Sequence, residues 1–424
     1  MKNKDTDRRV FDTAFSLWLE RGKILDTRRR LKRYTYGDQW GDVVTSADGT
    51  RLLESELITK TGRLPVTNNL IRRLVKTIVG RFRDMATANQ WYETDPDSYD
   101  AVALLEELDS RLLEEFLISG MAIQRVANDN YIFDDSPTVV NVSPEAFFCN
   151  DFRDTRGYDI EIAGMLHDMS PAEVLARFGD NDSKARLLED LMERYDELPV
   201  PAGSSSMGFS RAAPGRFRVI EVWTREYGAV GKICWKCRWF TPGGQLLDSY
   251  SSPWKHGSHP FVIKFYPLTD GEIHSFVEDV VDQQRYINRL IVLIDRILSY
   301  SAKGVLIFPE NQRPQRVSWE EIATRWAKPD GIIPITGNTP ILPQQIAHSS
   351  GDTGAYRLLE LELNLFDKTA GVGSALLGSA DTVKAFNGAE HYQAQVENAT
   401  IALADIFRTF RALIVSRNNK LKSL

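Results

Sequence analysis

One long helical pattern, from Ser275 to about Tyr300, constrains the fold of this 424-residue chain more than any other feature. Apolar residues recur along it at the i, i+4 and i+7 spacing of a helix, and others widen the apolar surface beyond one stripe. Such a helix must be surrounded, either inside an ordinary monomer or by neighbouring copies of the chain. The stripe consists of Phe276, Val280, Ile287, Ile291, Ile294 and Leu298, and it is widened by Val277, Val281, Leu290, Val292, Leu293 and Ile297.

The composition is that of an ordinary globular protein, and it limits the partners that the chain can hold. Hydrophobic residues make up 42% of the sequence and charged residues 26%, the usual proportions for a folded chain. A length of 424 residues exceeds what a single core usually serves, so two or three lobes are expected. The formal net charge of −6 argues against tight DNA binding, although DNA can still slide past such a surface.

No segment has the features of an export signal or a membrane span. Residues 1–9 are charged and lack an apolar core, so no signal peptide is expected. The most apolar helical stretch, residues 290–298, contains Asp295 and Arg296 and is too short to cross a bilayer. Three cysteines are too few, and odd in number, for a disulfide framework. We therefore expect a soluble protein without membrane partners, made in a reducing cytoplasm.

The three cysteines are Cys149, Cys234 and Cys237, and the last two form a C-x-x-C motif. A zinc site usually needs four ligands, and the sequence offers neither a second cysteine pair nor a nearby histidine couple. In a strand, Cys234 and Cys237 point to opposite faces. We interpret the cysteines as small, buried apolar side chains.

No other motif predicts catalysis or a cofactor. Gly373 and Gly378 have the spacing of a phosphate loop, but Ser379 stands where that motif needs lysine, which argues against an ATPase. Signatures of hydrolases, zinc proteases and dinucleotide-binding proteins are also missing. We expect no catalytic residue, no metal and no cofactor. The histidines that could suggest a metal site lack a carboxylate at ligand spacing, so they are predicted to be surface residues: His256, His259 and His274.

Apolar periodicity, capping signals and turn residues predict the remaining elements. Capping boxes from Ser170 to Glu173 and from Ser318 to Glu321 mark two helix starts. The stretch Glu197–Arg216, rich in proline, glycine and serine, predicts a mobile loop or linker. Further helices are predicted over Val10–Lys32, Asn68–Arg83 and Ser98–Ser119, from Ala355 onward, and over about Asn387–Arg417. Extended segments are predicted over Tyr131–Phe148, Phe217–Phe265 with a turn at Pro242-Gly243-Gly244, Gly304–Phe308 and Gly331–Ile335.

Two charged clusters are typical of solvated helix surfaces. Basic residues close the first predicted helix, where the helix dipole favours cations, although contact with nucleic acid or an acidic neighbour is the alternative. Two acidic pairs lie on the polar face of the third predicted helix and are predicted to be solvated. The basic residues are Arg28, Arg29, Arg30, Lys32 and Arg33, and the acidic pairs are Glu106–Glu107 and Glu114–Glu115.

Four separated segments carry a family resemblance. The first, Arg33–Trp40, contains an aromatic turn with Tyr36-Gly37-Asp38-Gln39-Trp40 after the basic helix, and in the second Asn68-Asn69-Leu70-Ile71 runs into Val79-Gly80-Arg81-Phe82. Gly271-Glu272-Ile273-His274-Ser275-Phe276-Val277 precedes Asp282-x-Gln284-Arg285-x-Ile287-Asn288, and a weaker match spans Val142–Asp151. In this order, with the helix–insert–helix layout that follows them, the segments resemble phage portal proteins, especially those of short-tailed phages.

The resemblance implies an α+β fold of the portal type that assembles as a ring. It has long stem helices, a small α/β clip and a mixed α/β wing. The sequence stops at Leu424, where many portals continue into a helical crown, so a crown is expected to be short or absent. The implied regions are the wing at 1–270, the first stem helix at 271–302, the clip at 303–354, the second stem helix at 355–371, the tunnel loop at 372–388 and a long C-terminal helix at 389–424.

The resemblance also implies the function and the partners. The ring, expected to be a dodecamer, conducts double-stranded DNA at one vertex of the capsid and has no catalytic activity of its own. The terminase large subunit docks during packaging and a head–tail adaptor docks afterwards, and the major capsid or scaffold protein surrounds the ring. The protein is expected in the virion after synthesis in the host bacterial cytoplasm.

Charge patterns within the implied regions identify candidate functional residues. Charges alternate in sign along the first stem helix, a pattern suited to ion pairs between subunits. The small residues of the tunnel loop allow it to flex and touch phosphate transiently. The stem candidates are Asp282, Gln284, Arg285, Asn288, Arg289, Asp295 and Arg296. The candidate DNA contacts are Lys384 foremost, with Asp381, Ser379 and Ser374.

Two other classes of protein remain as alternatives. One is a different oligomeric protein of the phage head or tail without a DNA channel, although such a protein has no reason to place an α/β insert between two long helices. The other is a nucleic-acid enzyme, such as a nuclease or a packaging ATPase. The missing phosphate loop and the missing carboxylate or histidine clusters argue against that enzyme.

Overall fold

The computed structural model describes most of the chain and divides it into two compact units. Unit 1 comprises Met1–Gly37, Leu70–Val281 and Ala370–Leu424, and unit 2 comprises Asp38–Asn69 and Asp282–Thr369. The described residues are 2–60, 62–88, 99–128, 137–196, 209, 214–228, 231–301, 305–327, 332–336, 343–346, 352–372, 401 and 403–424.

Helices and strands both contribute to the two units, as expected for an α+β protein. The helices are α1 Lys2–Glu20, α2 Gly22–Tyr36, α3 Glu54–Lys60, α4 Leu70–Ala88, α5 Tyr99–Ser119, α6 Pro171–Phe178, α7 Asp182–Asp196, α8 Glu278–Ser301, α9 Trp319–Ala327, α10 Asp352–Thr369 and α11 Ala404–Leu421. A single 3-10 turn at Glu310–Gln312 is also described.

The strands pair antiparallel throughout the described chain. They are β1 Val43–Thr45, β2 Arg51–Leu53, β3 Met121–Asn128, β4 Pro137–Asn141, β5 Phe147–Cys149, β6 Ile162–Met169, β7 Phe217–Tyr227, β8 Ile233–Phe240, β9 Leu246–Ser251, β10 Phe261–Phe265, β11 Val305–Ile307 and β12 Gln344–Ile346. Unit 1 contains a five-stranded sheet in the order β5-β6-β7-β8-β9 and a three-stranded sheet in the order β10-β3-β4, whereas unit 2 contains the pairs β1-β2 and β11-β12.

The five-stranded sheet of unit 1 is buried on both faces. Val219 and Trp223 of β7 belong to a core shared with β3 and β10 of the second sheet. Ile220 and Val222 point to the opposite face, where they belong to a core that includes residues of α1. This follows from the period of two along a strand, which sends alternate side chains to opposite faces. Burial of each large apolar side chain contributes roughly 1.5–3 kcal/mol, so both faces hold the sheet in place.

Phe209 lies within the stretch that was predicted to be a mobile loop, and for this residue the prediction is wrong. Its side chain is fully buried. The ring centroid lies 5.1 Å from that of Phe15 and 5.9 Å from that of Phe11, both on α1. Aromatic pairs at these distances stabilise a core beyond their buried area alone. The rest of the predicted loop up to residue 213 lies outside the described residues.

Several predicted helices are confirmed. Helix α4 begins two residues after the predicted start at Asn68 and extends beyond Arg83, and α5 matches its predicted segment over the described residues. Helix α5 ends at Ser119, and the next residue, Gly120, adopts the positive φ of 71° that suits a helix stop. Ser170 and Glu173 form the predicted capping box at the start of α6. The predicted helix from Ala355 is confirmed as α10. The predicted final helix, about Asn387–Arg417, is confirmed from Ala404 onward as α11, and residues 387–400 lie outside the described part of the chain.

The predicted single helix Val10–Lys32 is wrong, because the chain forms two helices that meet at Arg21. The Arg21 side chain is buried, with its guanidinium donating to the carbonyl of Phe147 and lying 3.1 Å from the sulfur of Met121. Burial lowers the pKa of this guanidinium, and the neighbouring Cys149 and Asp151 only partly oppose that shift. This buried contact gives a physical reason for the interruption between α1 and α2.

The β-rich segment Phe217–Phe265 and its hairpin turn are confirmed by β7 to β10, and the predicted strand at Gly304–Phe308 is confirmed by β11. The extended segment Tyr131–Phe148 is confirmed where β4 and β5 lie. The strand predicted at Gly331–Ile335 is wrong, because residues 332–336 have no strand structure and β11 pairs with β12 instead. The backbone N–H of Thr336 donates to the carbonyl of Gln312 at 3.0 Å.

The prediction of solvated charges is wrong for Arg28, Glu114 and Glu115. Arg28 is buried and forms two hydrogen bonds to Glu115, at 2.7 and 2.8 Å, and one to Glu145 at 3.0 Å. For Arg28, the alternative prediction of contact with an acidic neighbour is therefore confirmed, and the acidic neighbours Glu115 and Glu145 belong to the same chain. Glu114 is buried as well, and it accepts hydrogen bonds from Arg72 and from the hydroxyl of Tyr36.

Cysteines and histidines agree only in part with their predictions. Cys149 and Cys237 are buried as predicted, but Cys234 is half-buried. His274 is exposed, whereas His256 and His259 are half-buried and not the surface residues that were predicted. Among the described helices, none is both long and apolar enough to cross a membrane.

Candidate functional site

The long helix α8 combines apolar burial with buried polar side chains. Its start is capped by Ser275, whose hydroxyl accepts the backbone N–H of Glu278 at 3.0 Å. In unit 2, Ile287 and Ile294 are buried on this helix, and so are the amide side chains of Gln284 and Asn288. The two amides are four residues apart and therefore lie on the same side of the helix. Because buried polar groups need partners, these amides indicate which segments the helix must contact.

A network of amide hydrogen bonds joins α8 to the early part of the chain. The side-chain nitrogen of Gln284 donates to the backbone carbonyl of Asn68 at 2.7 Å and to Oδ1 of Asn288 at 3.1 Å. Asn288 donates to Oε1 of Gln39 at 2.5 Å, and Gln39 donates to Oδ1 of Asn69 at 3.1 Å. The backbone N–H of Asn68 donates to Oδ1 of Asn288 at 3.1 Å. We call these five residues the amide network.

An ionic group on the same helix adds to the amide network. Glu54, at the start of α3, is buried and accepts hydrogen bonds from Arg285 at 2.8 and 3.2 Å and from Arg289 at 2.6 Å. Farther along α8, Asp295 accepts a hydrogen bond from Arg63 at 2.8 Å. Charge-assisted hydrogen bonds of this kind are stronger than neutral ones. The segment 38–69 is thus fixed to α8 by both charges and amides.

The arrangement suits positioning and not bond chemistry. Three segments singled out in the sequence, around Gln39, Asn68 and Gln284, meet in unit 2 although more than two hundred residues separate the first two from the third. Their groups are amides bonded to one another, without a nucleophile beside a base. Within the described part of the chain, no group of three or more His, Cys, Asp or Glu side chains could hold a metal ion. A satisfied buried network of this kind specifies one packing arrangement.

The structure divides the predicted stem residues into two sets. Gln284 and Asn288 are buried inside the protomer, where they belong to the amide network. The others are partly or fully exposed: Asp282, Arg285, Arg289, Asp295 and Arg296. Of these, Arg285, Arg289 and Asp295 have the partners within the chain described above. The predicted DNA contacts Lys384, Asp381, Ser379 and Ser374 lie outside the described residues, and for both sets a role between subunits or toward DNA stays a prediction.

Glu54 is the main residue of this site that the sequence analysis did not identify. It lies in a polar segment with ordinary helix-start composition, so nothing local distinguishes it from Glu56. The available signal was on α8, where Arg285 and Arg289 are four residues apart and a single carboxylate can bridge them. That spacing indicates an acidic partner but does not identify its position in the chain.

Replacing Glu54 with glutamine is expected to lower the free energy of unfolding by about 1 to 3 kcal/mol, because two arginines lose their charged acceptor. Urea unfolding followed by tryptophan fluorescence measures this, since Trp40 is buried in the same unit. The matched control is Glu320→Gln, an exposed glutamate of unit 2, for which a change within about 0.5 kcal/mol is expected. Equal effects of the two substitutions would contradict the role given to Glu54.

Three of the segments singled out in the sequence thus meet in the packing of helix α8. The sequence matches the family model of the phage P22-like portal protein over residues 22–416. This match covers most of the chain, and the protein therefore belongs to the P22-like portal protein family. Among curated proteins, none matches the sequence.

Proposed function

We propose that this protein is the subunit of a portal ring that conducts double-stranded DNA through one vertex of a phage capsid. The proposal rests on family membership and on the amide network, in which the segments around Gln39, Asn68 and Gln284 meet. In the proposal the network fixes one helix, α8, so that its exposed side meets a neighbouring copy. The protein acts as a passive conduit, and a separate terminase drives the DNA.

The exposed side of α8 supports assembly. Exposed residues recur on it at alternating intervals of four and three, the spacing of a helix seam that packs against another helix. Leu293 in this stripe is 45% exposed, and Leu361 on α10 is 52% exposed. A ring of identical copies joined head to tail covers such surfaces in every copy. The α8 stripe consists of Asp282, Tyr286, Arg289, Leu293 and Arg296.

We assign the regions of the chain to the parts of a portal as follows. Residues 1–270 form the wing, 271–302 and 355–371 the two stem helices, and 303–354 the clip, with 372–388 as the tunnel loop and 389–424 as the C-terminal helix. In the structure, residues 38–69 pack in unit 2 with the proposed stem and clip residues 282–369. The early segment therefore supports the first stem helix, although it precedes most of the wing in sequence.

The partners follow from the same proposal. The clip docks the terminase large subunit during packaging and the head–tail adaptor afterwards, while the ring is seated among capsid or scaffold proteins in the virion. Lys384 in the tunnel loop touches DNA phosphate transiently, near Asp381, Ser379 and Ser374. A net charge of −6 favours passage of DNA over retention, because the acidic surface repels phosphate weakly.

The proposal is tested by the mass and shape of the purified protein. We expect size exclusion with light scattering to give a multiple of 48.1 kDa, twelve copies in the dodecameric proposal, and negative-stain images to show annular particles. Leu293→Asp and Leu361→Asp are expected to prevent ring formation, because each replaces an exposed apolar side chain of the proposed contact surface with a carboxylate that the interface would desolvate. Leu246→Asp, at an exposed leucine of β9, is the matched control and should leave rings intact.

A single 48.1 kDa species under all conditions would contradict the ring. Closed assemblies without a central opening would instead favour an oligomeric head or tail protein that has no DNA channel. Rings that form equally well in Leu293→Asp and Leu361→Asp would remove α8 and α10 from the subunit interface.

A further inference from the structure

A cavity of about 490 Å³ lies in unit 1 and is lined by four cationic side chains, from three elements and one connection. Lys420 comes from α11, Lys264 from β10, Arg225 from β7, and Arg156 from the connection between β5 and β6. Among the described residues that line the cavity, none is an aspartate or a glutamate. We call this space the basic cavity. Its charge is of one sign although the whole chain has a net charge of −6.

Lys420 places an ammonium group against the wall of the basic cavity. Its Nζ donates to the backbone carbonyls of His259 at 2.5 Å and of Phe261 at 2.7 Å. An ammonium has three donors, so one N–H remains for a further acceptor. No carboxylate within the described chain pairs with Lys420, and burial lowers the pKa of the Lys420 side chain to about 7.

Lys264 on strand β10 has the same kind of environment as Lys420 on helix α11. Its Nζ donates to the backbone carbonyl of Thr155 at 2.6 Å, and no carboxylate in the described part of the protein forms an ion pair with it. Burial lowers the pKa of Lys264 as well, and the more distant Asp154 opposes this only in part. Two ammonium groups held only by neutral carbonyls therefore line one cavity.

The two arginines of the basic cavity are partly engaged and lie toward its outside. Arg156 forms an ion pair with Asp154 at 2.9 Å, and Arg225 donates to the carbonyl of Tyr158 at 2.8 Å and forms a longer ion pair with Glu161 at 3.7 Å. An arginine has five N–H donors, so each can still contribute to a shared anion. Burying ammonium charge without a counter-ion costs free energy, and an anion in the cavity offsets that cost for both lysines.

We propose that the basic cavity binds a phosphate group, held by the ammonium groups of Lys420 and Lys264 with help from Arg225 and Arg156. Phosphate suits this site because its charge can be shared by several cations and its oxygens accept several hydrogen bonds at once. The group is either inorganic phosphate or the phosphodiester of a nucleic acid, and the two differ in size and charge. A bound phosphate joins α11 to β10, and so it stabilises the docking of the C-terminal helix.

The test measures binding of inorganic phosphate and of a short DNA duplex to the full chain. Calorimetric titration is done at constant ionic strength and at a pH below the pKa of Lys420, where its ammonium is charged. We expect saturable binding of at least one probe, accompanied by a higher melting temperature, because a ligand that binds only the folded state stabilises it by mass action. In Lys264→Met/Lys420→Met the affinity is expected to fall at least about tenfold.

The matched control is Lys232→Met, at an exposed lysine of unit 1 that does not line the basic cavity, and it should bind as the unaltered protein does. Binding of phosphate alone identifies the free ion as the ligand, and binding of the duplex that requires both lysines identifies nucleic acid. If the double variant fails to fold, the single variant Lys264→Met is compared with Lys232→Met in the same binding measurements.

The proposal is overturned if neither probe binds saturably, or if the lysine variants bind as tightly as Lys232→Met. The basic cavity lies within unit 1 of one protomer, so this result is independent of ring formation. A protein that never forms rings can still bind phosphate here, and the mass measurement distinguishes the two failures.

Discussion

Replacing Asp109 with alanine should lower the free energy of unfolding by about 3 to 5 kcal/mol, because it leaves a buried guanidinium without its counter-charge. Asp109 on α5 and Arg417 on α11 form an ion pair at 2.6 Å, and both side chains are 0% exposed. Asp109 also accepts a hydrogen bond from Gln124 at 2.9 Å. Urea unfolding of the purified protein measures the change.

Two further variants show whether the charge is responsible. In Asp109→Leu/Arg417→Met both charges are removed, so most of the stability should return, since buried ion pairs exchange for apolar pairs at little cost. Asp84→Ala breaks an exposed ion pair with Arg81 and should cost no more than about 1 kcal/mol. An Asp109→Ala effect as small as that of Asp84→Ala would show that the buried pair has no special role.

Glu221→Gln is expected to have an effect of similar size, about 3 to 5 kcal/mol, because the buried guanidinium of Arg125 loses the negative charge of its Glu221 acceptor. Glu221 is fully buried, and one of its oxygens accepts hydrogen bonds from Arg125 at 3.0 Å and His167 at 2.7 Å. The other oxygen accepts from the indole of Trp223 at 2.8 Å. Thermal and urea unfolding of the unaltered protein and of Glu221→Gln measure the difference in the free energy of unfolding.

The pH dependence of this difference provides an internal control. Burial alone would raise the pKa of Glu221, but the charge of Arg125 and the hydrogen bonds of His167 and Trp223 hold that pKa well below its usual range. A carboxylate with a lowered pKa contributes stability above its unfolded value of 4.5, and this contribution is lost as the pH falls below that value. The gap between the unaltered protein and Glu221→Gln should therefore shrink on acidification below pH 4.5. A stability difference that stays constant below pH 4.5 would contradict the lowered pKa of Glu221.

Local signals in the sequence predicted local structure well. The capping box at Ser170 and the apolar stripe of α8 each depend on residues within a few positions of one another, and both are present in the structure. The motifs around Gln39, Asn68 and Gln284 were also recognised as a set. Their contacts with one another could not be derived, because hydrogen bonds across such separations leave no periodic pattern in the chain.

Strand β3 shows why other parts could not be predicted. Its residues are buried along almost the whole strand, yet Gln124 and Arg125 interrupt the apolar pattern from which a buried strand is recognised. Both are tolerated because Asp109 and Glu221, on other elements, satisfy them. The same reason explains the error at Glu114 and Glu115, whose partners Arg72 and Arg28 are distant in sequence.

Unit 2 is made of two segments, and this has a consequence for how the protein forms on the ribosome. The segment Asp38–Asn69 is synthesised early, whereas its partners on α8 follow only after residues 70–281. At ordinary translation rates that delay is roughly 10 to 40 s. Throughout it, Gln39 and Glu54 lack the partners on α8 that they have in the folded unit, so this unit completes its fold only after most of the chain has emerged.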